Sequence, residues 1–308
     1  MSKVDDLQPH DRSGLLTEQR LAESGDLDRL PLNDAIALMN AQDAIAVAAV
    51  ASQRQAVALA VEIVAERLGR RGRLIYVGAG TSGRLGVLDA AECPPTFGTD
   101  PNLVQGIIAG GEAAMFRSQE GAEDRAADGA AAIDARAAGN ADVVMGIAAG
   151  GTTPFVRAAL VRARELGAGT IFLCCVQHTP AEPPADVVIR PLTGPEVLTG
   201  STRLKAATAT KLVLNQITTL AMVRLGKVYQ NLMVDLRASN QKLRDRSVRI
   251  VQMITGLQKA QALDLLQSAE GEVKTAIVMH ARRVDANAAR ALLVSANGRL
   301  RGALEAGD

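Results

Sequence analysis

The fold class is decided by the stretch Leu74-Ile75-Tyr76-Val77-Gly78-Ala79-Gly80-Thr81-Ser82-Gly83-Arg84. Its first four residues are apolar without polar alternation, which predicts a strand buried on both faces, as in a parallel sheet. Consecutive small residues follow, and they let backbone N–H groups turn inward as an anion cradle, to which the next helix adds its positive N-terminal dipole. The stretch therefore predicts a strand, an anion-binding loop and a helix.

The same alternation continues along the chain. Short aliphatic runs predict further strands at 104–108, 143–148, 170–175 and 187–189. Helical patterns at 84–91, 112–136 (broken at Gly121), 154–166 and 201–225 lie between and after them. We therefore expect the α/β fold class, with a parallel sheet sandwiched between helices on both faces.

Both ends of the chain have their own patterns. The first thirty residues are polar and predict an arm, and apolar spacing at 34–68 predicts two helices with a break near Gln42 and Asp43. Three short helical patterns at 258–268, 273–283 and 285–295 predict a small three-helix module. The predicted domains are an arm at 1–30, the α/β domain at 31–235, a cationic linker helix at 236–250 and a helical C-terminal domain at 251–308.

Composition limits the classes of partner. The 308 residues carry a formal net charge of +1, and only 2% of them are aromatic. Such a chain lacks the basic field and the stacking side chains that nucleic acids attract, and it lacks the charge to collect an anionic membrane surface. A small molecule is the expected partner, with no nucleic acid and no membrane.

Cysteine usage and the N-terminus indicate the compartment. Three cysteines are an odd count, which argues against a disulfide framework and for a reducing environment. The N-terminus shows no basic start followed by an apolar run, as a secretory signal would. Gln53, Arg54, Gln55 and Glu62 interrupt the best candidate for a membrane-spanning helix. We therefore expect a soluble, cytoplasmic protein.

Two further loops repeat the design of the first, at 148–154 and 199–202. Each loop alone is more often an ordinary helix cap, but the carboxyl ends of parallel strands form one crevice, so their recurrence favours a shared site. A small anionic group such as a sugar phosphate fits this arrangement. The predicted substrate-binding residues are Gly80, Thr81, Ser82, Gly83, Gly151, Thr152, Ser201 and Thr202.

Nucleotide and metal sites are disfavoured. Gly78, Gly80 and Gly83 match G-x-G-x-x-G, but the helix after them meets Pro94 and Pro95 early, and the second strand ends without an acidic residue for a ribose. The Walker lysine is absent, and three scattered histidines lack zinc-ligand spacing. We therefore expect no cofactor and no metal.

Glu92 and Glu123 are the candidate acid and base. Glu92 follows a short predicted helix that begins at the first loop, and Glu123 lies at a predicted helix start. Each carboxylate is equally compatible with a surface role, and Glu123 with a complement to the helix dipole. If both face one pocket, desolvation would keep one protonated and the other ionised, as elimination or isomerisation requires. We interpret Cys93 as a buried thiol rather than a nucleophile.

The first loop and Asp89-Ala90-Ala91-Glu92-Cys93-Pro94-Pro95-Thr96-Phe97-Gly98 together resemble the signature of the N-acetylmuramic acid 6-phosphate etherases, members of the sugar isomerase (SIS) superfamily. Further matching motifs lie at 108–112, 120–124, 198–205 and 226–235, and the C-terminal module is also similar. The resemblance runs from about Leu16 to the C-terminus. It implies that 31–235 is an SIS sugar-phosphate-binding catalytic domain.

The resemblance also implies an activity and two roles. It implies a homodimeric, cofactor-independent lyase that cleaves the D-lactyl ether of N-acetylmuramic acid 6-phosphate in cell-wall sugar recycling. Glu92 would protonate the departing lactate oxygen, and Glu123 would take and return the proton beside the carbonyl. Many relatives carry a serine and often an arginine where this chain has Gly150 and Thr152, so part of the phosphate contact would pass to backbone amides or to Thr152.

Two other functions compete with the etherase hypothesis. An aldose–ketose isomerase on the same scaffold would use one base and no departing acid. A non-catalytic sugar-phosphate sensor is the alternative from another class, because regulators of glucokinase are related to this family. Those regulators have duplicated sugar-binding domains, whereas this chain has one copy of each loop motif.

Overall fold

Five parallel strands form one sheet in the order β2-β1-β3-β4-β5. The computed structural model describes residues 12–178, 182–236, 238 and 240–305. All five predicted strands are confirmed, with ends that differ from the prediction by no more than two residues. They are β1 Leu74–Gly78, β2 Val104–Ile108, β3 Val143–Ile147, β4 Gly169–Leu173 and β5 Val187–Ile189.

Helices cover both faces of the sheet, which confirms the predicted α/β class. On β1, Leu74 and Tyr76 pack toward α2, α3 and α7, while Ile75 and Val77 pack toward α5 and α6. This alternation makes every strand apolar on both sides. The helices are α1 Leu32–Ser52, α2 Arg54–Gly69, α3 Gly80–Phe97, α4 Ala113–Phe116, α5 Ala126–Ala135, α6 Pro154–Glu165, α7 Lys205–Arg224, α8 Gln241–Thr255, α9 Lys259–Ser268, α10 Val273–Arg282, α11 Ala286–Ser295 and α12 Leu300–Glu305.

The predicted break near Gln42 and Asp43 is wrong, because α1 runs without interruption to Ser52 and the break falls at Gln53. Gln42 is buried, and its Oε1 accepts a hydrogen bond of 2.6 Å from Lys205 Nζ. Gln42, a polar residue that the sequence places near a turn, therefore lies within the helix and makes a tertiary contact with Lys205.

The same boundary corrects the argument about membrane spans. The residues expected to interrupt the apolar stretch, from Gln53 onward, lie after the end of α1. Within the described residues, one helix, α1, is long enough and apolar enough to cross a membrane, as judged from its length and composition alone. Only 22% of its most apolar window is buried within the subunit.

Helix α3 is longer than predicted. The prediction ends it before Pro94 and Pro95, but both prolines lie inside the helix, which ends at Gly98 in the left-handed conformation. A proline in the last turn removes one N–H donor and leaves the earlier hydrogen bonds intact, so the helix persists. Glu92 therefore lies on a regular helix rather than after one.

The described segments before and after the α/β domain differ in part from their predictions. Within the predicted arm, residues 1–11 lie outside the described residues, and 3₁₀ turns form at Leu16–Glu18, Ala22–Ser24 and Leu27–Arg29. At the other end α8 lies five residues later than the predicted linker helix, and α12 follows the three predicted helices. The domain boundaries stay predictions.

A charged joint connects the C-terminal helices to the α/β domain. Asp235 Oδ2 lies 3.0 Å from Lys227 Nζ, which follows α7, and 2.8 Å from Lys274 Nζ on α10. Lys274 Nζ also donates to the Gly298 carbonyl at 2.7 Å. The largely buried Lys274 ammonium thus links α10 to Asp235, in the segment that follows α7.

Candidate active site

The first predicted loop is the N-terminus of α3. Because the helix begins at Gly80, the predicted binding residues Thr81, Ser82 and Gly83 form its first turn. The N-cap residue Ala79 has no side chain that could accept from the N–H groups of that turn. Such N–H groups have no intrahelical partner and attract anions.

Gly83 has a packing role in this turn. Its N–H donates to the Ala79 carbonyl at 3.3 Å, and a Cβ built on it would lie 2.7 Å from Ile108 Cγ1 and 2.8 Å from the Gly78 oxygen. A Cβ on Gly78 would likewise lie 2.6 Å from Gly83 N. Glycine at both positions lets α3 approach β1 this closely, so Gly83 allows the first turn of α3 to lie against the end of β1.

A hollow of about 240 Å³ lies beside this turn. Its walls include Gly80 and Arg84 of α3, Ala109 after β2, and the loop that carries Glu123. The Glu123 loop is held in place because the Phe155 N–H at the start of α6 donates to the Glu123 carbonyl at 3.0 Å. The structure therefore brings the predicted base to the predicted anion-binding turn.

Glu92 does not line this hollow. It is exposed on α3, twelve residues after Gly80, which is about 18 Å along the axis of an α-helix. The short helix predicted from the sequence would place Glu92 near the ligand of the first loop, whereas the structure places it away from the first loop of its own subunit. The physical reason is that α3 continues past Glu92 to Phe97, whereas the sequence predicts a helix end before the prolines.

The second loop leads directly into α6. Thr153 is the N-cap and Pro154 occupies the first helical position, where its missing N–H costs nothing. Gly151 is buried with a φ of 72°, a conformation that favours glycine, and Thr152 is half-buried. Both residues follow β3, the neighbour of β1 in the sheet.

The third loop differs from the prediction at its helix. Helix α7 starts at Lys205 rather than at Ser201, so Ser201 and Thr202 lie in the preceding turn. The buried Glu196 carboxylate accepts from the N–H groups of Lys205 and Ala206 at 3.0 and 2.9 Å. The Glu196 carboxyl group thus already caps this helix end, which leaves the hydroxyls of Ser201 and Thr202 as the predicted ligands.

Sequence reasoning missed Glu196 and Arg84. Arg84 Nε and Nη2 donate to the carbonyls of Met115 and Ala114 at 3.0 and 2.7 Å, which fixes its guanidinium at the wall of the hollow. Its place directly after the first turn of α3 and its small residues is the signal that would have found it. Glu196 offers no such signal, because its partners become visible only in the folded chain.

The cysteines are buried and free. Burial, with the nearby Asp89 and Glu92 carboxylates, raises the pKa of Cys93 to about 12, and burial raises the pKa of Cys174 to about 11. A thiol nucleophile requires a lowered pKa and access. The interpretation of Cys93 as a buried thiol is confirmed.

Comparisons with known proteins identify related chains. Residues 56–164 match the glucokinase regulatory protein N-terminal SIS domain, and residues 230–275 match the C-terminal lid domain of that protein. An N-acetylmuramic acid 6-phosphate etherase from a Nostoc species is 55% identical over 299 residues, with 97% of each chain covered. The etherase from a Synechocystis species is 52% identical over 296 residues, covering 96% of this chain and 97% of its own.

Among solved structures, a Bacteroides fragilis protein assigned as a phosphosugar isomerase involved in capsule formation is similar to part of this fold. Its TM-score is 0.47 at 18% sequence identity. The match covers 65% of this chain and 95% of that one.

Proposed function

The chain belongs to the N-acetylmuramic acid 6-phosphate etherase family, and from that premise we propose that it cleaves the D-lactyl ether of N-acetylmuramic acid 6-phosphate. The products are N-acetylglucosamine 6-phosphate and D-lactate, and the enzyme is a carbon–oxygen lyase. Identity of 52–55% across 96–97% of the chain is the observation that carries this proposal.

We assign the phosphate to the strand-end loops. The uncapped N-terminus of α3 supplies N–H groups from Gly80 to Ser82. We assign the hydroxyls of Thr152, which follows β3, and of Ser201 and Thr202, which precede α7, to the same phosphate. The first turn of α3 carries no acidic side chain. The contrast with α7, whose N-terminal amides are taken by Glu196, supports α3 as the phosphate-binding helix.

Glu123 is our candidate base. Its loop lines the same hollow as Gly80, so a sugar whose phosphate lies on α3 is within the hollow that Glu123 borders. Glu123 takes the proton from the carbon beside the open-chain aldehyde, and lactate leaves from the adjacent carbon as the double bond forms. Water then adds to that carbon and gives up one proton to the Glu92 carboxylate, and Glu123 returns its own proton, so that the ether is replaced by a hydroxyl and both glutamates regain their starting states.

Glu92 is our candidate acid for the departing lactate oxygen, and it acts in the hollow of a second copy. Two observations support this. Glu92 lies about 18 Å along α3 from its own phosphate-binding turn, and it follows the exposed Leu88 by four residues, on the same helix face. A partner subunit that covers this face would receive Glu92.

Helix α1 offers the surface for such a homodimer. Gln42, Ala46 and Val50 of this helix are buried, and the helix packs on α7, while several large apolar side chains along it are exposed. Several exposed large apolar side chains on one helix are typical of a protein interface. The exposed residues are Leu32, Ile36, Met39, Ile45 and Val47.

The incomplete site favours a second copy over a lipid surface as the partner of α1. The buried, free thiols are compatible with the reducing cytoplasm, where we expect the enzyme to act.

An assay for D-lactate tests the activity. The purified protein is expected to release D-lactate and N-acetylglucosamine 6-phosphate in equal amounts from N-acetylmuramic acid 6-phosphate. Glu92→Gln and Glu123→Gln should each lower kcat by about 10²- to 10⁴-fold, because each removes one acid–base group. Conversion of an aldose phosphate to a ketose phosphate without lactate would indicate the isomerase, and tight binding without any product would indicate the sensor.

A further inference from the structure

The N-terminal 3₁₀ turn Leu16–Glu18 contains a buried hydroxyl that no described residue satisfies. Thr17 has 0% of its surface exposed, and its Oγ1 has no hydrogen-bond partner within the described ranges. An unsatisfied buried hydroxyl costs free energy, and native proteins retain few of them. A packing role alone would be served better by valine, which has the same outline without the polar atom.

The turn lies across two of the strand-end loops. A Cβ built on Gly150 in the second loop would lie 3.8 Å from Thr17 Oγ1 and 4.0 Å from Leu15 Cδ1. A Cβ built on Gly200 in the third loop would lie 3.2 Å from Glu18 Oε2. The N-terminal segment therefore reaches the edge of the sheet at which the substrate is expected to bind.

We propose that the Thr17 hydroxyl donates a hydrogen bond to the phosphate of the bound sugar phosphate. This inference rests on the proposed function for the identity of the ligand. The second loop, Gly150 to Thr153, contains no cation and offers hydroxyls from its two threonines alone. Thr17 adds a neutral donor beside Gly150, where this chain has no side chain of its own.

Glu18, the neighbour of Thr17, does not serve this purpose. A carboxylate accepts hydrogen bonds and repels phosphate. Its position over Gly200 suits the hydroxyl groups of a sugar ring. The uncharged Thr17 is thus the member of the turn that matches an anion.

Thr17→Val is the direct test, with D-lactate release as the assay. Loss of one hydrogen bond to a charged group should raise KM about 10- to 100-fold, with a smaller change in kcat. Thr99→Val is the matched control, because Thr99 is equally a buried threonine whose Oγ1 lacks a partner within the described ranges, but it follows α3 near the opposite edge of the sheet. Its KM should equal that of the wild type.

A rescue variant separates a missing donor from disturbed packing. Gly150 lies outside the left-handed region, and a Cβ there meets no atom closer than 3.8 Å, so Gly150→Ser is sterically allowed. Its hydroxyl would lie beside the position of Thr17 Oγ1. In the double variant Thr17→Val/Gly150→Ser, KM should return most of the way to the wild-type value.

The outcomes are decisive in both directions. A raised KM in Thr17→Val that Gly150→Ser restores supports the proposal. An unchanged KM with equal or higher stability, or a raised KM that the serine does not lower, overturns it. If the wild type releases no D-lactate, the proposed function fails. Thr17 is then tested by calorimetric titration of the same variants with N-acetylglucosamine 6-phosphate, where unchanged Kd values overturn the inference.

Discussion

The Tyr76 hydroxyl on β1 donates a 2.9 Å hydrogen bond to Asp89 Oδ2 on α3, in the buried layer between the sheet and α7. Thr218 Oγ1 on α7 donates to the other oxygen of the same carboxylate at 3.3 Å. Asp89 therefore joins three elements of the fold. It lies one helical turn before Glu92, so these bonds hold the rotation of α3 that exposes Glu92.

Tyr76→Phe removes one of the two hydroxyl donors to this buried carboxylate. The free energy of unfolding should fall by about 1 to 3 kcal/mol in urea titrations at pH 7. Tyr229→Phe is the control, because the Tyr229 ring contacts the Arg301 guanidinium and this contact does not need the hydroxyl. A loss as large in the control would argue against the Asp89 contact.

The stability contributed by Asp89 should depend on pH. Burial raises the pKa of Asp89, and the hydrogen bonds from Tyr76 and Thr218 act in the opposite direction. At a pH between the pKa of Asp89 in the unfolded chain and its higher pKa in the folded chain, the folded protein holds a proton that the unfolded chain has released. The free energy of unfolding therefore falls as the pH rises through the pKa of the folded protein.

Asp89→Asn removes this titration. The stability of the wild type minus that of the variant should therefore be greatest near about pH 4 and decline toward pH 7. Urea titrations of both proteins across this range measure the difference. Parallel curves for the two proteins would contradict the prediction.

Mixing two inactive variants tests whether each site takes one glutamate from each subunit. A mixed dimer of Glu92→Gln and Glu123→Gln subunits has one hollow with both native glutamates and one with neither. After dissociation and reassociation in equal amounts, about one quarter of wild-type activity should return, because half of the dimers are mixed. A mixture that stays inactive while exchange is demonstrated would place both residues in one subunit's site.

A charge among the exposed apolar residues of α1 should prevent dimer formation. Val47→Glu places a carboxylate among the exposed apolar residues, and burying it without a partner is costly. Sedimentation equilibrium should report a monomer, and D-lactate release should fall because Glu92 no longer reaches a partner. The control is Met253→Glu on α8, which is 66% exposed and lies outside this surface. Binding of the wild type to lipid vesicles, with no dimer, would assign α1 to a membrane.

Removing the Glu196 carboxylate should loosen the start of α7. Glu196→Ala leaves the N–H groups of Lys205 and Ala206 buried without acceptors, which costs about 1 to 3 kcal/mol for each group. Glu196→Gln keeps one acceptor oxygen and should lose less. Glu62→Gln, which affects an exposed ion pair with Arg224, should change stability by less than about 1 kcal/mol. Equal losses in the alanine and glutamine variants would contradict the capping role.

Apolar runs between glycine-rich loops were enough to predict the five strands and the α/β class. They also predicted that the three loops rich in glycine and hydroxyl residues lie together, because the carboxyl ends of parallel strands share one edge. These inferences need only local pattern and a general property of parallel sheets.

Other features depend on contacts between distant residues and were beyond local reasoning. Pro94 and Pro95 predict a helix end, yet packing against the sheet keeps α3 helical around them. Gln42 looks like a turn residue until Lys205 is placed beside it, 163 positions away. Thr17 lies in a polar segment whose composition hides the burial of one residue.

The close approach of Gly78 and Gly83 limits how this scaffold can diversify. Any side chain at either position would lift α3 off β1 and move both Arg84 and Glu92, so the first loop has little freedom to mutate. The second loop has space at Gly150, where a side chain meets no atom closer than 3.8 Å. New ligand preferences should therefore arise more readily after β3 than in the turn after β1.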